Sequence, residues 1–359
     1  MVLLLLLLTP TQLHGPADAP AWPASRPESV GLTQGQIDTA LQEWSERTGP
    51  DGVSRTAIVC RGKLVHAGPA SKTPSGLYST TKSFTSTCLG LLIEDGVITL
   101  DTRAAELEPT LADLYPDATL RHFTTMTSGY SAAGRSRWDD ENSDWSWTPY
   151  DPTTPHFPPG THYAYWDEAQ MTLGRLLTIA AKQDLLELLD SRVLTPIECT
   201  TQSWDAEGEV DGVPVRNGCT WLTLSAEDLA RYGQLFLDEG RWDGRQLIPT
   251  SWVRAATRVQ VSRETPVGNT DRKNVVGSGC YGFNWWVNGT RPDGTRLLPD
   301  LPDRAFYSAG LKHNVCLVIP EWRLVMVRLG EDHNPTDGHA AVLNDAARLL
   351  QPKSLTDIN

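Results

Sequence analysis

A serine and a lysine three residues apart carry the sharpest chemistry in this chain: Ser79-Thr80-Thr81-Lys82. On a helix that spacing puts both side chains on one face, within reach of each other. A serine hydroxyl is a weak nucleophile at neutral pH and needs an adjacent base to take its proton. A buried lysine can be that base, because burial disfavours the ammonium and lowers its pKa. The first turn of a helix also offers backbone N–H groups without intrahelical partners, which can hold an oxyanion. An S-x-x-K tetrapeptide arises by chance in a chain this long. Among the seven lysines, however, only Lys82 has a serine at that offset.

Three other stretches hold residue types that could act. Tyr163-Ala164-Tyr165-Trp166-Asp167 follows the turn Pro158-Pro159-Gly160, which places the tyrosines in a loop before a helix. A tyrosine beside a lysine can share its proton and serve as general acid–base; the plainer expectation for two such rings is packing. Asp332, His333, Asp337 and His339 are ligands suited to a divalent metal. Their segment reads as a loop capping the last helix, so no metal is expected. The acidic run from Trp138 to Trp145 could take calcium or a cationic substrate but reads as a solvated loop.

These residues need elements to hold them. Residues 33–46 have a helical pattern. Residues 56–60 and 63–67, joined at Arg61-Gly62, read as a β-hairpin. Residues 78–95 follow, apolar nearly all round in their latter part, as a helix inside a protein would be, and Gly96 ends it. Short helical pieces and long loops then alternate to about residue 224, with clear helices at 169–182 and 184–189. Ser225-Ala226-Glu227-Asp228 begins another helix, running to about Asp238. Strand-like runs occupy 281–287, 305–308, 314–319 and 324–329, and an amphipathic helix spans about 337–350. The order predicts an α+β sandwich: an antiparallel sheet flanked by terminal helices, with a mostly helical lobe inserted. Residues 21–359 are expected to form one domain, the sheet lobe from about 21–100 and 225–359, the helical lobe from about 101–224.

Composition narrows the partners. Apolar residues make up 40% and charged residues 21% of the 359, which excludes a wholly disordered chain. A net charge of −13 repels phosphate backbones and argues against nucleic acid. Thirteen tryptophans against six phenylalanines hint at an aromatic-lined cleft, although most should anchor the core. Val2 to Leu8 is too short to span a bilayer, which takes about 20 residues. With Ala17-Asp18-Ala19 behind it, residues 1–20 read as an export leader, and the protein is expected to be secreted or periplasmic. No positive residue precedes the run and Pro20 follows the cut, both of which count against that reading. Of the six cysteines, Cys60, Cys88 and Cys316 sit in apolar sequence; Cys199 and Cys219 flank a turn-rich segment and are the disulfide candidates if the chain is exported.

Several segments, in order, resemble the serine β-lactamase and penicillin-binding-protein superfamily, in its class C-like branch with esterases, D-stereospecific peptidases and nylon-oligomer hydrolases. They are Tyr78-Ser79-Thr80-Thr81-Lys82-Ser83-Phe84, residues 98–101, residues 120–129, Pro159-Gly160 leading to Tyr165, residues 225–233 and residues 317–327. The resemblance covers about residues 26–350 and implies a β-lactamase/transpeptidase-like fold, a serine hydrolase that needs no cofactor, and an acyl-enzyme mechanism. It makes Ser79 the nucleophile, Lys82 its base and Tyr165 the tyrosine of a Tyr-x-Asn motif. The third position of that motif is here Asp167, whose charge would favour the lysine's ammonium form; it is carried among the substrate-binding residues. The family's Lys-Thr-Gly strand matches Ser308-Ala309-Gly310, with Ser308 and Gly310 facing substrate and the backbone N–H groups of Ser79 and Leu311 forming the oxyanion hole. Loss of the cation at Ser308 argues against a carboxylate-bearing β-lactam and for an uncharged ester or amide, unless Lys312 or His313 compensates. A D-amino-acid peptidase, a weak β-lactamase and a binding module of little turnover remain the alternatives.

Overall fold

The computed structural model describes residues 22–49, 51–134, 146, 148–268, 275–331, 338–354 and 356. The apolar run Val2–Leu8, the acidic run from Trp138 to Trp145, and Asp332, His333 and Asp337 lie outside the described residues. Helix α1 (Gln34–Thr48) starts at Thr33, whose hydroxyl accepts from the Gln36 N–H while the Gln36 side chain returns to the Thr33 N–H. Strands β1 (Arg55–Cys60) and β2 (Lys63–Ala67) meet at Arg61 and Gly62, with φ 52° and 74°. Two consecutive positive φ angles match the twist of a tight hairpin. Helix α2 (Thr81–Glu94) follows, and every residue from Thr81 to Leu92 is buried. Helices α3 (Asp167–Ala181) and α4 (Ala226–Leu237) come next. Then come strands β3 (Trp286–Val287), β4 (Phe306–Gly310), β5 (Asn314–Ile319) and β6 (Leu324–Leu329), and helix α5 (His339–Ala347).

The six strands form one antiparallel sheet in the order β3-β4-β5-β6-β1-β2. Register aligns Tyr307, Leu317, Met326 and Ile58 in one row across it, and Phe306, Val318, Val325 and Val59 in the next. Alternate residues point to opposite faces. The first row packs with Trp44 of α1 and Leu343 of α5; the second packs with Phe84 of α2 and Phe236 of α4. Helix α4 lies so close that a Cβ on Gly233 would sit 2.6 Å from Val325 Cγ1. The fold is the expected antiparallel sheet with helices on both faces. No helix among the described residues is long and apolar enough to cross a membrane.

Three local readings change. The strand expected over 281–287 is confined to Trp286–Val287, because Asn284 is left-handed (φ 59°) and the Gly282 N–H closes a turn on the Trp285 carbonyl. The stretch read as mostly helical also holds a hairpin, Ala206–Val210 with Val213–Arg216, and two short strands, Ser203–Trp204 and Leu222–Leu224, which form a small sheet with Ser75–Gly76 from before it. Cys199 and Cys219 do not pair: all six cysteines are buried and none is in a disulfide, and Cys199 Sγ lies 3.6 Å from the Asp228 carbonyl oxygen.

Candidate active site

Ser79 sits in a 3₁₀ turn, Tyr78–Thr80, that runs directly into α2. Tyr78 just before it has φ 49°, a left-handed conformation that costs a residue with a Cβ about 1 kcal/mol or more. Its surroundings hold it there: the phenol donates to Glu331 at 3.2 Å, and Lys312 Nζ, ion-paired to the same carboxylate, lies 5.6 Å from the ring. One turn on, Lys82 points back. Its Nζ donates to Ser79 Oγ at 2.8 Å and to Asp167 Oδ1 at 2.5 Å, and lies 3.5 Å from the Cys219 carbonyl oxygen. The S-x-x-K spacing therefore joins two side chains across the mouth of α2, as the helical face requires.

Asp167 is the first residue of α3 and faces Lys82, so the departure from an amide at this position has an electrostatic consequence. Burial by itself drives the Lys82 pKa down; the Asp167 carboxylate, assisted by Tyr165 and Cys219, more than reverses this and holds the ammonium above the ordinary lysine range. The pair is nearly dry, with side-chain exposures of 2% for Lys82 and 13% for Asp167. Asp167, carried by the sequence as a substrate-binding residue, is engaged by the lysine. Tyr165 places its ring centroid 4.8 Å from Lys82 Nζ. Burial raises its phenol pKa, Lys82 opposes that, and Asp167 adds to it, while hydrogen bonds with Ser79 and Lys82 lower it. Tyr163 stays out of this group: its ring is fully buried and packs edge-on against Tyr281.

Sequence reasoning missed the supports beneath the lysine. Asn284 Nδ2 donates to the Lys82 carbonyl at 3.1 Å and to Gln170 Oε1 at 2.8 Å, and Gln170 Nε2 in turn donates to the Phe123 carbonyl. Asn217 Oδ1 accepts from the N–H groups of Cys219 and Thr220, shaping the loop that aims the Cys219 carbonyl at Lys82. The one signal in the sequence was the residue type at Asn284: asparagine inside a run read as strand is disfavoured there and tolerates positive φ.

The end of β4 forms the opposite wall. A Cβ on Gly310 would sit 2.2 Å from the Leu77 carbonyl oxygen and 3.0 Å from Ser79 N, so only glycine fits against the nucleophile turn. Ser308 is paired with Cys316 in register and is 2% exposed; its hydroxyl has no hydrogen-bond partner among the described residues. Leu311 is 57% exposed at the rim. Neither candidate for the missing cation supplies it. Lys312 is ion-paired to Glu331, and His313 is buried with its ring 4.7 Å from that of His339. Beside Tyr165, Trp286 stacks at 6.0 Å and Tyr307 stacks on Trp286 at 6.2 Å, giving the site an aromatic flank. Of the four residues considered as metal ligands, the only described one, His339, is turned to the Gly310 carbonyl oxygen at 2.8 Å.

Comparison with known proteins places the family and the fold. The family model described as Beta-lactamase matches residues 46–349. An uncharacterized protein of Alkalihalophilus pseudofirmus is 21% identical over 279 residues, 72% of this chain and 74% of that one. A proposed 6-aminohexanoate-dimer hydrolase from Bacillus anthracis superposes with a TM-score of 0.68 at 19% identity, covering 92% of this chain and 87% of that one. A family VIII carboxylesterase superposes at 0.66 with 17% identity, covering 91% and 99%. At these identities the solved structures share the fold.

Proposed function

The chain belongs to the Beta-lactamase family of β-lactamase-fold hydrolases, and from that premise we propose that it is a serine hydrolase that cleaves uncharged esters or amides through an acyl-enzyme on Ser79. The observation that carries this reading is the 2.8 Å contact between Ser79 Oγ and Lys82 Nζ, with Tyr165 against both. Once Lys82 has shed a proton, its lone pair takes the Ser79 proton as Oγ bonds to the substrate carbonyl carbon, and the carbonyl electron pair moves to oxygen. The Ser79 N–H and the Leu311 N–H are the donors for that oxyanion; each belongs to the start of a 3₁₀ turn and has no acceptor within it. On collapse the leaving group takes a proton from Lys82 or Tyr165, and water then repeats the sequence on the acyl-enzyme to release the acid.

The wall at β4 supports an uncharged substrate. With Ser308 in place of a cation, Lys312 tied to Glu331 and His313 buried, nothing described at this wall is free to pair with a carboxylate. The aromatic flank and the likeness to a carboxylesterase support the same reading. The test is intact-protein mass spectrometry with a fluorophosphonate, alongside turnover of p-nitrophenyl acetate and nitrocefin. Wild type should gain one adduct at Ser79 and hydrolyse the ester far faster than the lactam. Ser79→Ala should lose labelling and turnover, and Lys82→Ala should lose turnover nearly as far, because such residues act as a unit. Full activity in either variant, or an unlabelled wild type, would sink the assignment.

A further inference from the structure

We propose that His339, on the C-terminal helix α5, is a positioning residue for the oxyanion hole, acting through the Gly310–Leu311 peptide. This rests on the proposed use of the Leu311 N–H as an oxyanion donor, and it assigns a role to a residue that the sequence offered only as a metal ligand. His339 Nε2 lies 2.8 Å from the Gly310 carbonyl oxygen. A carbonyl only accepts, so Nε2 carries the proton and the imidazole donates. That carbonyl and the Leu311 N–H are the two ends of one planar trans peptide. They point in opposite directions, so a hydrogen bond that pins the carbonyl on the α5 side also aims the N–H away from α5.

The arrangement around this peptide requires such a clamp. Leu311 opens a 3₁₀ turn, where its N–H has no intrahelical acceptor to orient it, and the next two residues, Lys312 and His313, both have positive φ (61° and 55°). The peptide therefore joins a regular strand to a strained turn. On its other side Gly310 is pressed against the nucleophile turn, with no room for a Cβ. The His313 ring, 4.7 Å from that of His339, packs beside the clamp. A hydrogen bond at the carbonyl also polarises the amide, which strengthens its N–H as a donor.

Loss of one oxyanion donor costs roughly 100- to 1,000-fold in kcat; loss of its orienting contact should cost less. His339→Phe, which keeps a ring but no donor, should lower kcat about 10- to 100-fold while KM stays within about 3-fold. His339→Gln can place an N–H on the same carbonyl and should recover most of the loss. In protein labelled with 15N-leucine, the Leu311 amide proton should shift upfield in His339→Phe and return in His339→Gln. If His339→Phe does not fold, His339→Ala replaces it in the same comparison with His339→Gln. An unmoved Leu311 resonance, an unchanged kcat, or a loss confined to KM would overturn the clamp. A wild type that neither labels nor turns over esters would instead overturn the serine hydrolase reading, and the Leu311 resonance would still decide the clamp.

Discussion

Lys82 is asked to be a base and is held as an acid. The proposed chemistry needs its neutral amine, yet the Asp167 carboxylate 2.5 Å away keeps it protonated beyond the ordinary lysine range. Activity that depends on neutral Lys82 should therefore climb with pH along a limb displaced to the alkaline side. Asp167→Asn removes the charge at nearly constant shape and should move that limb to lower pH, each unit corresponding to about 1.4 kcal/mol. The measurement is kcat/KM against pH for both proteins with one neutral ester; superimposable profiles would refute the coupling. The same pair ties stability to pH. Because the folded-state pKa of Lys82 is raised, its contribution is complete below the ordinary value of 10.5 and fades as pH rises through the folded value. Asp167→Asn should lower the melting temperature at pH 7, where the lysine would otherwise stand buried without its partner.

Between residues and whole chain, two glycines decide how closely the elements carrying Lys82 and its partners approach. Gly174, in the middle of α3, would drive a Cβ to 2.6 Å from the Arg216 carbonyl oxygen. Gly218, on the facing loop, would drive one to 2.1 Å from the Gln170 carbonyl oxygen. Backbone cannot yield as a side-chain tip does. Thr85 Oγ1 meanwhile donates to the Gly218 carbonyl at 2.9 Å, tying the same loop to α2. Gly218→Ala should therefore lift the loop that aims the Cys219 carbonyl at Lys82, costing about 1–3 kcal/mol of stability and reducing kcat. Gly35→Ala is the control: it lies in the first turn of α1 with nothing within 4 Å of its added Cβ, so it should be neutral or stabilising by up to about 1 kcal/mol. Thermal melts and ester turnover of both variants check the contrast; equal behaviour would mean that this close approach is dispensable.

Across the whole molecule the cysteines serve as packing. All six are buried and none is in a disulfide, and burial pushes the Cys60 and Cys280 thiols up to about 11 and that of Cys88 to about 12. A thiol rather than a thiolate reacts slowly. Ellman's reagent should find almost no reactive thiol in the native protein and six after unfolding in guanidinium; four would show that a Cys199–Cys219 bridge forms after all. The elements legible in the sequence alone were those set by neighbours along the chain. The Arg61-Gly62 hairpin, the all-round apolar α2, the Ser225 cap of α4 and the strands Asn314–Ile319 and Leu324–Leu329 all follow from periodicity, turn chemistry and capping. Ser79 and Lys82 belong with them, since a three-residue offset on a helix fixes their contact. Tertiary structure alone decided the rest: that Asp167, 85 residues from Lys82, pairs with it, that the Ser308 hydroxyl has no partner among the described residues, that Lys312 is spent on Glu331, and that His339 reaches the Gly310 carbonyl. The reason is physical. Local pattern specifies which face of an element is buried, but an ion pair or a clasped peptide depends on where the sheet and three helices bring distant side chains together.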